Sequence, residues 1–359
     1  MLKRIYDSLI DDKSRKIYTS RLLNYITGDK KYYIDIIRSN DYKKTDCITL
    51  SDYYKNLMAG THDEAVIWGA GSSGELRYKF NLDTGYDNIK YFVDSNVEMQ
   101  KRGCNGKRVL SPEEFFSVYD NELIIIESLY YEDEIKRIIK ENLNDKCRIV
   151  NHFEVKTQYF DEKLVFSDDE VFLDCGCFDC STIKDFIKAT NGKYNKIIAF
   201  EPDKQNYEEC LKIAYNDKLK NVEIINKGLW NKETTINFAA NNKTRSCIVE
   251  DDNLEERIFE VDTTALDEVH VTKIDDVLKD EKVTFIKMDI EGSELKALKG
   301  AENTIKKNKP KLAISIYHKP EDIVEIPKYL KTIVPEYKFM IRHYTELFHE
   351  TVLYACVEW

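Results

Sequence analysis

The stretch Ile286-Lys287-Met288-Asp289-Ile290-Glu291-Gly292-Ser293-Glu294 constrains the fold more than any other part of the chain. An apolar run of strand length ends in Asp-x-Glu-Gly and passes into a segment whose Leu295, Leu298 and Ala301 fall at helical spacing. That pattern predicts a buried strand turning into a helix, the half-unit of a parallel α/β sheet. It occurs twice more upstream. Val171-Phe172-Leu173-Asp174 runs into the loop CGCFDCST and a helix near 181–190, and the strand at 197–201 ends on Glu201 before a helix at about 204–215. Further strands are expected at 222–226, 284–289 and 312–317, with a helix over 292–307. The ending, KFMIRHY and TVLYACVEW, reads as a terminal hairpin. The sum is seven strands in a Rossmann-like α/β sheet.

A smaller α/β series precedes it. Ala65-Val66-Ile67-Trp68 leads into GAGSSG at 69–74, and the run at 89–93 ends at Asp94. Ser111-Pro112-Glu113 opens a short helix, the run at 123–126 follows, and a charged helix is expected at 131–142. Residues 1–60 have apolar positions at helical spacing and predict two or three surface helices. The expected division is therefore a helical leader at 1–60, a small Rossmann-like domain at 61–155 and a larger α/β domain at 156–359.

Gly69, Gly71 and Gly74 form G-x-G-x-x-G between an expected strand and helix, and Asp94 lies 20 residues after Gly74. Such glycines permit a tight turn and close approach to phosphate, while the acid accepts from ribose hydroxyls. The loop thus admits a nucleotide or nucleotide-sugar; the alternative is a turn kept for packing. A nicotinamide-dependent sugar-modifying oxidoreductase is a second function on this loop, although no Tyr-x-x-x-Lys pair follows it. A non-catalytic nucleotide-binding module is the third.

Composition excludes several classes. The 359 residues carry 54 Lys and Arg against 65 Asp and Glu, a net charge of −11 that argues against a sequence-independent nucleic-acid binder. No apolar run reaches the roughly 18 residues of a membrane span. The start MLKRIYDSLIDDKSRK lacks a signal-peptide core, and nine scattered cysteines do not form a disulfide framework, so a cytoplasmic location is expected. Cys175, Cys177 and Cys180 form C-x-C-x-x-C, but no fourth ligand lies nearby, Cys210 falling within the next helix. No metal is expected there.

In an open parallel sheet the ligand sits beyond the carboxyl ends of the strands. Asp174 and Glu201, one per adjacent strand end, suit a ligand with an amino group and a ribose. S-adenosylmethionine (SAM) has both, and a positive sulfonium. Glu201 would take the ribose hydroxyls. Asp174 would sit near the amino-acid end, with Gly176 allowing close backbone approach; the alternative is an acid that caps the next helix.

IKMDIEGSELKALKGAENTIKK, VFLDCGCFDCST and IIAFEPDKQNYEECL together resemble the FkbM-type methyltransferases, in the family's order and over about residues 165–357. The resemblance implies a SAM-dependent methyltransferase fold, with Asp174, Gly176, Ser181, Glu201, Asn226, Asp289 and Glu291 around the cofactor. Where the family's first loop usually carries a second glycine, this chain has Cys180, whose Cβ is expected to narrow the approach to SAM. The resemblance and the attached first domain imply O-methylation of a sugar or glycan hydroxyl, free or nucleotide-linked. A hydroxyl needs a base, and a neutral imidazole suits that task near pH 7. His318, ending a strand in AISIYHKP, is the preferred base, with His343 or Asp289 as alternatives. Asp289 and Glu291 would also suit a divalent cation, but nothing else in the sequence completes such a site, so metal dependence is not expected. The oligomeric state is left open.

Overall fold

The computed structural model describes residues 1–38, 48–61, 63–128, 131–143, 147–152, 158–239, 247–248 and 266–359. The chain divides into two compact units. One comprises Met1–Tyr18, Lys156–Tyr344 and His349–Trp359; the other comprises Thr19–Val155 and Thr345–Phe348.

The first unit is built on a seven-stranded sheet. Its order is Lys338–His343, Thr351–Cys356, Lys311–Ser315, Phe285–Met288, Val171–Cys175, Lys196–Phe200 and Val222–Ile225. The last five are parallel, and the terminal hairpin joins them antiparallel. The central strands are buried on both faces, which explains their unbroken apolar runs. One face carries a nest of aromatic rings. Phe172 stacks on Phe186 at 4.4 Å and on Phe285 at 5.1 Å between centroids. Each such ring contributes about 1.5–3 kcal/mol by leaving water. Near the chain start, residues 8–10 extend the sheet edge: Ile10 N donates to Phe339 O and Phe339 N to Ser8 O, both at 2.9 Å. A second sheet orders Gly228–Leu229, Leu266–Thr272, Thr234–Ala239 and Cys247–Ile248.

The single helix expected over 292–307 is two, Glu294–Lys299 and Glu302–Asn308. Gly300 at the break is pressed so close to Trp230 that a Cβ there would lie 2.0 Å from the Trp230 carbonyl oxygen. Backbone contact, not periodicity, sets that boundary.

The other unit holds a six-stranded parallel sheet, ordered Ile48–Thr49, Arg148–Asn151, Leu123–Ile126, Ala65–Trp68, Ile89–Val93 and Val109–Leu110. Three of these strands are absent from the sequence reading; at two to four residues they are too short to show a period. The expected helix after Ser111 runs Pro112–Val118, with Ser111 Oγ accepting from Glu114 N at 3.2 Å. Among the described residues of 1–60 there are four helices, not two or three, at Leu2–Tyr6, Asp12–Thr27, Tyr32–Arg38 and Leu50–Met58. Nor are they merely surface helices, since Ile34, Ile37, Tyr53 and Tyr54 are buried. Arg77 is also buried, satisfied by Glu127 at 2.6 Å and by the Glu346 carbonyl at 2.8 Å. Among the described residues no helix is long and apolar enough to cross a membrane.

Candidate active site

The carboxyl ends of three neighbouring strands meet at a cavity of ≈ 250 Å³ in the first unit. Gly176 follows Cys175, Glu201 follows Phe200, and Asp289 follows Met288, so each strand delivers its next residue to the lining. Leu229, Val269 and Val271 of the second sheet supply an apolar wall. Gly176 holds φ +88°, and a Cβ on it would lie 2.1 Å from the Asp289 carbonyl oxygen, so the two strand ends approach through a gap only glycine leaves.

Glu201 is nearly buried. Its Oε2 accepts from Phe178 N and its Oε1 from Asp203 N, both at 3.0 Å. These bonds aim the carboxylate and burial pushes its pKa up to about 7. Asn226 does not line the cavity. Its Nδ2 donates to the Glu201 carbonyl at 2.9 Å, bracing the backbone of that acid.

The other end of the cavity is acidic and phenolic. Asp289, Glu291, Tyr317 and Glu350 all line it. Asp289 Oδ2 accepts from Tyr159 Oη at 2.7 Å, and the Tyr317 hydroxyl stands 3.3 Å from both Asp289 Oδ1 and Glu350 Oε1. Gln158 donates to the second Glu350 oxygen. Burial, with Asp289 close by, raises Glu350 to about 7; burial raises Glu291 to about 7 as well. Glu291 sits in the turn with φ +54°, a left-handed conformation that non-glycine residues seldom adopt outside functional turns.

His318 stands behind this wall and is not part of the lining. Its Nδ1 lies 2.9 Å from Glu294 Oε1, and its Nε2 lies 3.4 Å from Asp289 Oδ1 and 3.5 Å from Glu291 Oε2. Burial works against the charge on this ring, but Glu294, Asp289 and Glu291 outweigh it and push the pKa up to about 10.

Of the residues expected at the cofactor, the structure therefore brings Gly176, Glu201, Asp289 and Glu291 together. Asp174 is fully buried beneath the loop, 3.2 Å from Lys287 Nζ, and does not reach the cavity. Ser181 is exposed at the start of the helix Ser181–Ala189, and His343 is buried on its strand with Nδ1 2.7 Å from Thr351 Oγ1; neither lines the cavity. Cys180 adopts the left-handed conformation a glycine would, with φ +61°. Its sulfur is buried, 3.8 Å from the Cys210 carbonyl, so its Cβ does not narrow the cavity. The helix that carries Cys210 also brings its sulfur to 3.8 Å from Cys177, a proximity that sequence spacing did not suggest. Glu350, Tyr317, Tyr159 and Lys287 are the site residues the sequence reading missed.

In the other unit, Gly69 and Gly74 lie against close backbone, while Gly71 faces open space. A Cβ on Gly74 would lie 1.9 Å from the Gly69 carbonyl oxygen. Asp94 spans two loops, its Oδ2 accepting from Ala70 N in the glycine loop and its Oδ1 from Asn96 N, both at 2.8 Å.

Residues 174–341 match the model of the methyltransferase FkbM domain, and residues 61–150 match that of the C2185-like N-terminal domain. Among solved structures, methyltransferase FkbM from Methylobacillus flagellatus KT is 19% identical, with 94% of this chain and 100% of that chain covered at a TM-score of 0.52. A rRNA methylase from Streptococcus thermophilus is 14% identical over 53% of this chain and 87% of that one, at a TM-score of 0.33. Aeropyrum pernix fibrillarin, solved with natively bound SAM, is 9% identical over 53% of this chain and 66% of that one, at 0.31. The first of these speaks for the fold, and the family model for the domain. No curated protein matches the chain.

Proposed function

Residues 174–341 being an FkbM methyltransferase domain, a SAM-dependent one, we propose that the chain methylates a hydroxyl of a sugar or glycan. The observation that carries this reading is the division of one cavity into a cofactor end at Glu201 and an acceptor end at Asp289, Glu291, Tyr317 and Glu350. Glu201, a buried acceptor of two backbone N–H bonds, is pre-aimed for a ribose diol. The opposite end offers carboxylates and a phenol, which match a polyol presenting several O–H donors.

SAM, when bound, supplies an electrophilic methyl carbon beside a positive sulfonium. A cavity carboxylate would take the proton of the acceptor hydroxyl that receives the methyl group, while Glu201 would hold the cofactor's ribose. In this proposal the base is Glu350 rather than His318. Glu350 lines the cavity and ionises near neutral pH, as a general base should, whereas both nitrogens of His318 face carboxylates behind the wall. Asp289, the alternative base in the sequence, orients Tyr317, and His343 stays structural. Holding acceptor and carbon in line supplies roughly 7–11 kcal/mol of the barrier. The glycine loop at Gly69–Gly74 is a packing turn in this reading, Asp94 being engaged by the backbone amides of Ala70 and Asn96. Incubation with labelled SAM and a panel of sugars and glycans tests the assignment. Label appearing only on nitrogen, or on no acceptor while SAM binds, would count against it.

A further inference from the structure

We propose that the acceptor carries a phosphoryl group, held by a cluster of lysines beside the cavity: Lys232, Lys296, Lys299 and Lys319. The inference rests on the methyl-transfer reading of that cavity and names its acceptor class, a phosphate- or diphosphate-linked sugar.

The cluster is built around two segments that line the cavity. Leu229 lines it, and the next residue, Trp230, carries Lys296 over its ring, with Nζ 4.2 Å from the centroid. Cation–π attraction holds the ammonium there. Lys299 lies three residues along the same helix, Glu294–Lys299, and so on the same face. It directly precedes Gly300, the residue pressed against the Trp230 carbonyl. Lys232 follows Trp230 by two residues. In the second segment, Glu291 and Ser293 line the cavity, and the Lys319 side chain lies over Gly292 between them. Its Cε stands 3.2 Å from where a Cβ on Gly292 would be.

The charges are gathered in an otherwise acidic chain, whose net charge is −11. Among the described residues Lys232, Lys299 and Lys319 nonetheless form no ion pair. Asp322 accepts from the Lys319 backbone N at 3.2 Å, not from its ammonium. Burial lowers the Lys296 pKa, and Lys319, Lys299 and Lys232 lower it further, so these ammoniums feel one another. An anion relieves that repulsion. Phosphate carries more than one negative charge and several acceptor oxygens, so it can engage several ammoniums at once, and lysine serves it as a point charge. The acceptor end, with Asp289, Glu291 and Glu350, repels an anion and receives the sugar hydroxyl instead.

The test uses the full chain and calorimetry with inorganic pyrophosphate as the probe. One pyrophosphate per chain is expected, bound about tenfold more weakly in Lys319→Gln and in Lys296→Gln. Lys299→Gln, at an exposed position, replaces Lys296→Gln should that variant misfold. Lys101→Gln, in the other unit, should leave binding unchanged. No pyrophosphate binding, no loss in the cluster variants, or an equal loss in Lys101→Gln overturns the proposal. So does an RNA oligonucleotide that binds more tightly than pyrophosphate and suffers the same losses, since the cluster would then serve nucleic acid. In methyl labelling, label is expected on phosphate-bearing sugars. Label on neutral glycans alone overturns this inference and leaves the methyl-transfer reading standing.

Discussion

Asp174 and Lys287 are register partners on adjacent parallel strands, and Lys287 Nζ lies 3.2 Å from Asp174 Oδ1 with both side chains buried. The ammonium also donates to the Gly176 carbonyl at 2.7 Å and lies 5.2 Å from the Tyr159 ring centroid. The pair sits under the cavity loop, with Lys287 bonded to that loop's first residue. Removing the cation leaves a buried carboxylate without its charge partner. Lys287→Met is expected to lose about 3–5 kcal/mol in urea unfolding, a cost typical of broken buried pairs.

Glu201 is expected to govern SAM affinity and its pH dependence. Its pKa is raised to about 7, so the carboxylate that best accepts ribose hydroxyls is present above pH 7 and lost as pH falls through that value. Calorimetry should show SAM binding weaken between pH 8 and pH 6. Glu201→Ala should cost about 1.5–3 kcal/mol at pH 8 and flatten that slope.

Glu350 sets the second pH dependence. With its pKa at about 7, turnover under saturating SAM should rise as pH increases through 7 and level off above it. Glu350→Gln should lower kcat about 10²–10⁴-fold with SAM affinity little changed. An unaltered rate in this variant removes Glu350 from the mechanism.

Gly176→Ala should fold poorly. At its φ of +88°, the added methyl would stand 2.1 Å from the Asp289 carbonyl oxygen and force the two strand ends apart. A loss well above about 1 kcal/mol is expected from thermal unfolding.

Much of this site was legible in the sequence, because each acid that lines the cavity near a strand end follows an apolar run. Glu201, Asp289 and Glu291 were visible in that way, as were the five strands that pair in parallel. Asp174 has the same signature but a different fate: its register with Lys287 turns the carboxylate into a buried ion pair instead of the cavity. Strand-end position tells where a residue lies, and register tells where its side chain is used. Glu350 and Tyr159 were invisible because they reach Asp289's neighbourhood only through tertiary folding, from 61 and 130 positions away; the hydrogen bond from Tyr159 and the shared Tyr317 hydroxyl reveal them. His318 was found by position, while Glu294, the carboxylate 2.9 Å from its Nδ1, was not. The break at Gly300 and the two-residue strands leave no periodic trace for the same reason, being set by contacts with distant backbone.

The most direct test of the account follows the methyl group itself. The chain is incubated with methyl-labelled SAM and carbohydrate acceptors, and the products are resolved by mass spectrometry. The account predicts label on a carbohydrate hydroxyl with an equal amount of S-adenosylhomocysteine, both lost in Glu350→Gln while SAM still binds. Label on nitrogen alone, or carbohydrate left unmodified by a chain that binds SAM, would contradict it.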